Sequence, residues 1–122
     1  MNEVIYPEVR RNLIEILHDL YDLDYQCRVW VGGEKLGENF HDEFSNAVHF
    51  LYDDSLLASD PASTIGWILR DKNEVEKIEM LVNAIEIVFQ KYGAGLSDAE
   101  YIEFSEWSSV LEAAKQAALV IF

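Results

Sequence analysis

Val9, Leu13, Ile16, Leu17 and Leu20 recur at spacings of three and four residues, the period of one buried face of an α-helix. Pro7 suits the first helical position, so the pattern predicts a helix over 7–21. The period returns in Phe40, Phe44, Ala47, Val48 and Leu51, with Asp42, Ser45, Asn46, His49 and Asp53 on the far side, which predicts a helix over 40–53. Asp60-Pro61, a capping carboxylate followed by proline, opens a third helix in "PASTIGWILR" that Gly66 weakens. Asn73 and Glu76 read as a capping pair for a helix carrying Val75, Ile78, Val82, Ile85, Phe89 and Tyr92 up to Gly93. Ser97 with Glu100 starts a short helix. Ser105 starts the last one, whose stripe is Trp107, Val110, Leu111, Ala114, Ala117, Ala118 and Ile121. The core is expected between the helices at 7–21, 74–92 and 106–121.

The segment 22–40 is less regular. "YQCRVWVGG" alternates enough for a strand, yet a strand without a partner leaves its backbone groups unpaired. A short helix followed by a glycine-rich loop from Gly32 to Gly37 is the expectation, with a small hairpin near 25–40 as the alternative. The fold class is therefore mainly all-α, an irregular bundle of about five or six helices in one domain over 1–122.

Charge adds more than composition does. Nine Lys and Arg oppose 23 Asp and Glu, a net charge of −14 that repels a phosphate backbone and argues against direct nucleic-acid binding. From Leu36 to Leu69 there is no Lys or Arg, while Glu38, Asp42, Glu43, Asp53, Asp54 and Asp60 fall within that stretch. From Tyr92 to Phe122 only Lys115 opposes Asp98, Glu100, Glu103, Glu106 and Glu112. Such segments either keep a protein soluble or present a negative surface to a basic partner. Cys27 is the sole cysteine, which excludes an internal disulfide and suits a reducing, cytoplasmic setting. The N-terminus has no signal-peptide pattern, and no apolar run approaches membrane-spanning length, so neither secretion nor a membrane role is expected.

Candidate chemistry is sparse. His49 and Asp53, four apart on the predicted helix, could ligate a metal or move a proton, or form only an exposed ion pair. His41 is the nearest further histidine, two turns away, so a metal site built on His49, Asp53 and His41 lacks an obvious fourth ligand. His18-Asp19 and His41-Asp42 have the dipeptide of the all-helical HD-superfamily phosphohydrolases, but no histidine precedes His18 as that pattern requires. Cys27 between Tyr25 and Val29 reads as buried packing. Asp19, Asp22 and Asp24 lack the glycine and terminal glutamate of a calcium loop, and no glycine motif cradles phosphate. Trp107 joins the core stripe, whereas Trp30 and Trp67 either bury or anchor an interface.

Together, "YQCRVWV" at 25–31, "AVHFLYDD" at 47–54, "DP" at 60–61 and "IGWILRD" at 65–71 resemble a family of small acidic bacterial proteins of unknown function. The resemblance implies a bacterial, single-domain protein and carries over no catalytic or binding residue. In general character the chain is similar to immunity proteins that neutralise toxic nucleases, an analogy of type alone.

The resulting expectation is a non-catalytic, cofactor-free acidic protein that inhibits a basic toxin. Its partner surface would use Glu38, Asp42, Glu43, Asp53, Asp54 and Asp60, with Trp30 and Trp67 as anchors. The alternatives are a small metal-dependent hydrolase using His49 and Asp53, and a structural protein that buries apolar helix faces in a homodimer.

Overall fold

The structure, a computed structural model, describes residues 4–33 and 42–122. Helix α1 spans Pro7–Tyr21 with the proline in its first turn, and Leu13, Leu17 and Leu20 face inward. Helix α2, Leu23–Tyr25, is a single turn that widens into a π-helical segment, Gln26–Val31. Helix α3 spans Phe44–Tyr52, α4 Lys72–Tyr92, α5 Asp98–Glu103 and α6 Trp107–Val120. Helix α6 packs along both α1 and α4. Its inward face is Trp107, Val110, Ala113, Ala114 and Ala117, and the three small alanines let neighbouring backbones come close. Each fully buried leucine or isoleucine facing it, such as Leu17 or Ile85, contributes about 1.5–3 kcal/mol of hydrophobic stabilisation.

A second cluster is aromatic. Phe44 at the start of α3 meets Trp107 edge-on at 5.0 Å and Tyr101 at 5.5 Å, with Trp30 and Phe89 each at 5.9 Å. These edge-to-face and tilted contacts bring ring edges against neighbouring π-faces, a favourable quadrupole arrangement. Gln26, fully buried, completes the polar side of this cluster: its Oε1 accepts the Trp107 indole N–H at 2.9 Å and its Nε2 donates to the Asp19 carbonyl at 2.8 Å.

Four expectations need correction. The 61–70 stretch forms only one 3-10 turn, Pro61–Thr64, rather than a helix. Gly66 turns the chain back at φ +88°, its N–H donates to the Leu69 carbonyl, and the Gly66 and Trp67 carbonyls accept the amides of Ile5 and Tyr6. A helix would have kept those carbonyls for itself. Helix α4 is capped by Asp71, which accepts the Glu74 N–H at 3.0 Å, and not by Asn73. That register turns Glu74 inward, where its Oε1 accepts both the Arg70 N–H and the buried Arg10 guanidinium. Helix α3 begins at Phe44, because Glu43 is extended, so Asp42 does not lie on the helix's outer face. Cys27 is exposed, since the π-helical turn buries Gln26, Val29 and Trp30 instead. Residues 25–32 are helical or turn, so they supply no hairpin arm, and 34–41 lie outside the described residues.

Candidate functional site

Helix α1 and the start of α3 leave a groove of about 570 Å³ between them. Glu15, Asp19, Asp42 and Asp54 line it, together with Asn12, Tyr25, Asn46 and His49, and no Lys or Arg is among its described lining residues. The position of Asp42 follows from the chain's path. Extended backbone before α3 turns its carboxylate toward α2 and the π-helical segment, where Oδ2 accepts the Tyr25 hydroxyl at 2.7 Å and the Trp30 indole N–H at 3.0 Å. Asn46, in the first turn of α3, donates to Oδ1 at 3.0 Å.

These donors decide the ionisation of the site. Burial would raise the Asp42 pKa, but hydrogen bonds from Tyr25, Asn46, Trp30 and the Glu43 backbone outweigh it and hold the carboxyl below the ordinary aspartate range. Asp19 has the opposite fate. Burial, the charge of Asp42 and a hydrogen bond to it, with smaller contributions from Glu15 and Asp22, push its carboxyl up to about 7. Tyr25 is also raised, by burial and then by its bond to Asp42. Asp98 from α5 approaches the same region, accepting the Phe44 N–H at 3.0 Å and so satisfying an otherwise unpaired amide in the first turn of α3. Burial raises its pKa, and the charges of Glu43 and Asp42 raise it further against the effect of that N–H. The arrangement can exchange a proton near neutrality and can receive a cationic group.

The residues expected from sequence are distributed unevenly. Asp42 and Asp54 line the groove, and Glu43 stands beside Asp98 on an adjoining hollow. Asp53 is occupied by His49, whose Nδ1 lies 2.7 Å from its Oδ2, and both side chains are about two-thirds exposed at 63% and 67%. Among the described residues no group of three His, Cys, Asp or Glu side chains is placed to hold a metal ion. Trp30 is buried at 8% exposure, packed against Phe44 and Trp107, and so is part of the core and not a surface anchor. Trp67 remains 48% exposed, edge-on to Tyr6, but it lies outside the groove, as does Asp60. Glu38 and His41 lie outside the described residues.

Glu15 and Tyr25 have no place among the site residues expected from sequence, and Asp19 enters there only through the His18-Asp19 dipeptide and the incomplete calcium loop. Glu15 and Asp19 do carry a signal: like charges four apart on a helix repel one another, and no cation stands between them to offset it.

A family model described as a domain of unknown function, DUF7945, matches residues 4–122. The chain belongs to that family. No curated protein and no solved structure matches the chain. Among the described residues of this DUF7945 chain, no helix is long and apolar enough to cross a membrane.

Proposed function

We propose that this protein is a non-catalytic binding protein that docks a basic protein partner on its acidic groove, as an immunity or antitoxin-like inhibitor does with a bacterial toxin in the cytoplasm. One observation carries the reading. Glu15, Asp19, Asp42 and Asp54 converge on one groove whose described lining holds no Lys or Arg, a like-charge arrangement that costs folding free energy. A cationic side chain entering the groove would relieve that repulsion, and the surrounding negative field would speed its approach. Glu43 and Asp98 extend the field beyond the groove.

The affinity of such a complex falls as salt screens the charges. The test is affinity capture from the native host at low and at high ionic strength, with the retained proteins identified. A basic protein retained at low salt and released at high salt is the expected result. Retention of acidic or neutral proteins only, or retention indifferent to salt, would overturn the reading.

A further inference from the structure

Ile5 and Tyr6 donate their backbone N–H groups to the Gly66 and Trp67 carbonyls, both at 2.9 Å. Gly66 itself donates to the Leu69 carbonyl at 2.7 Å, so the loop that carries Trp67 is fixed from both sides. Arg10 draws in the C-terminal segment, its guanidinium donating to the Ile68 carbonyl at 2.9 Å and to the Phe122 carbonyl at 3.1 Å. Three stretches distant in sequence therefore meet at one end of the bundle.

What they present to solvent there is apolar. Ile5 is 66% exposed, Tyr6 48%, Ile65 41%, Trp67 48% and Phe122 72%, and Tyr6 stands edge-on to Trp67 with ring centroids 6.0 Å apart. At those fractions the three aromatic side chains expose roughly 250–400 Å², and the two isoleucines add about 100 Å². A surface of that size marks an interaction site, and its fixed backbone lowers the entropic cost of covering it. Trp and Tyr are also the side chains that anchor the centres of interfaces.

The charges around this surface select its partner. Glu8, Arg11, Arg70, Asp71 and Lys72, all exposed, lie on the segments that flank it. With Arg10, this end holds four of the nine Lys and Arg of a chain whose net charge is −14. A basic partner would meet three exposed cations here, and a strongly acidic one would be repelled by the rest of the chain. A second copy would approach where cations offset the acidic charge, and a rim of both signs can pair with itself across a two-fold axis. The apolar area is about half of the roughly 800 Å² that each side of a standard interface buries, the share expected of an apolar centre inside a polar rim.

We propose that this end of the bundle is the contact surface for a second copy of the chain, joined about a two-fold axis with Tyr6 and Trp67 at its centre.

The inference is independent of the docking reading above, since the acidic groove shares none of these residues. Salt also moves the two in opposite senses. Screening weakens a complex of opposite charges, but it relieves the repulsion between two copies of an acidic chain and leaves apolar contact intact. Sedimentation equilibrium of the full chain at low and at high ionic strength tests the proposal, with Trp67→Glu, Ile5→Glu and, on the exposed face of α4, Ile87→Glu as a control. The expected result is a wild-type particle of twice the chain's mass whose dissociation constant falls as salt rises. Trp67→Glu and Ile5→Glu should each weaken it at least tenfold, and Ile87→Glu should leave it unchanged. A wild-type monomer at both salt concentrations would overturn the proposal, as would a dimer that survives both variants or is lost equally in Ile87→Glu. The wild-type mass decides the first point even if a variant folds poorly.

Discussion

Arg10 and Glu74, 64 residues apart in sequence, form a two-pronged buried ion pair at 2.8 and 2.9 Å. The same guanidinium donates to the carbonyls of Ile68 and Phe122, so one side chain joins α1, the 65–71 loop, α4 and the C-terminal segment. Both partners are at most 5% exposed. Truncating one leaves the other charge buried and unpaired, which costs about 3–5 kcal/mol. Glu74→Ala should therefore lower the urea midpoint far more than the paired replacement Arg10→Met with Glu74→Leu. Equal losses in the two proteins would show that the ion pair is not what the site requires.

Gly66 and Gly32 should both resist substitution, for different reasons. Gly66 sits at φ +88° with open space where a Cβ would go, so Gly66→Ala costs about 1 kcal/mol or more through the backbone alone. At Gly32 a Cβ would stand 2.6 Å from the Arg28 carbonyl oxygen, a steric clash at an ordinary φ of −78°. Thermal denaturation distinguishes them: Gly66→Asn, which tolerates a left-handed backbone, should recover part of the loss, whereas Gly32→Asn should not.

Asp42 is the acceptor on which the entrance to α3 depends. Asp42→Ala leaves the Tyr25 hydroxyl and the Trp30 indole N–H without their partner, at about 1–3 kcal/mol for each donor that stays buried. Denaturation should show the loss, and Trp30 fluorescence should shift as its surroundings change. A variant as stable as wild type would mean water replaces the carboxylate at no cost.

Much of the architecture could be read from the sequence where local signals and packing agreed. Pro7 and the leucine stripe mark α1 at its observed bounds, Gly93 ends α4 at φ +87°, and Ser97 with Glu100 forms a capping box. The sequence misled where a long-range contact chose between local options. Asp71 and not Asn73 caps α4 because that register delivers Glu74 to Arg10, and 61–70 leaves the helical path because Ile5 and Tyr6 take its carbonyls. The site was half legible for the same reason. Asp42 and Asp54 stood out in a segment without cations, but their meeting with Glu15 and Asp19 is made by tertiary packing of α1 against α3, which no spacing encodes.

Stability should peak near pH 4 and decline from there toward pH 7. The Asp19 carboxyl is raised in the folded protein, so its contribution is present below the ordinary aspartate range and is lost as pH rises through about 7. Asp98, also raised, acts in the same direction. Asp42 is lowered, so its contribution is present at higher pH and is lost as pH falls below the ordinary range. Because Asp19 keeps contact with solvent, screening limits its effect to about 1 kcal/mol. Urea midpoints across pH should show Asp19→Asn flattening the alkaline limb and leaving the acid limb unchanged. An alkaline limb that persists in the variant would contradict the assignment.

His49→Ala should change stability by less than about 0.5 kcal/mol, because the His49–Asp53 pair is solvated on both sides. Metal analysis of purified protein and denaturation of the variant check this. A stoichiometric metal lost on the substitution would instead support the hydrolase alternative.

The most direct test of the account is the affinity of the captured basic partner for two double charge reversals, measured calorimetrically. Glu15→Lys with Asp54→Lys places cations in the groove, whereas Glu76→Lys with Glu79→Lys makes the same change in net charge on α4. The account predicts that the groove variant loses binding at least tenfold more strongly than the α4 variant. Equal losses, or a greater loss from α4, would show that the groove is not where the partner docks.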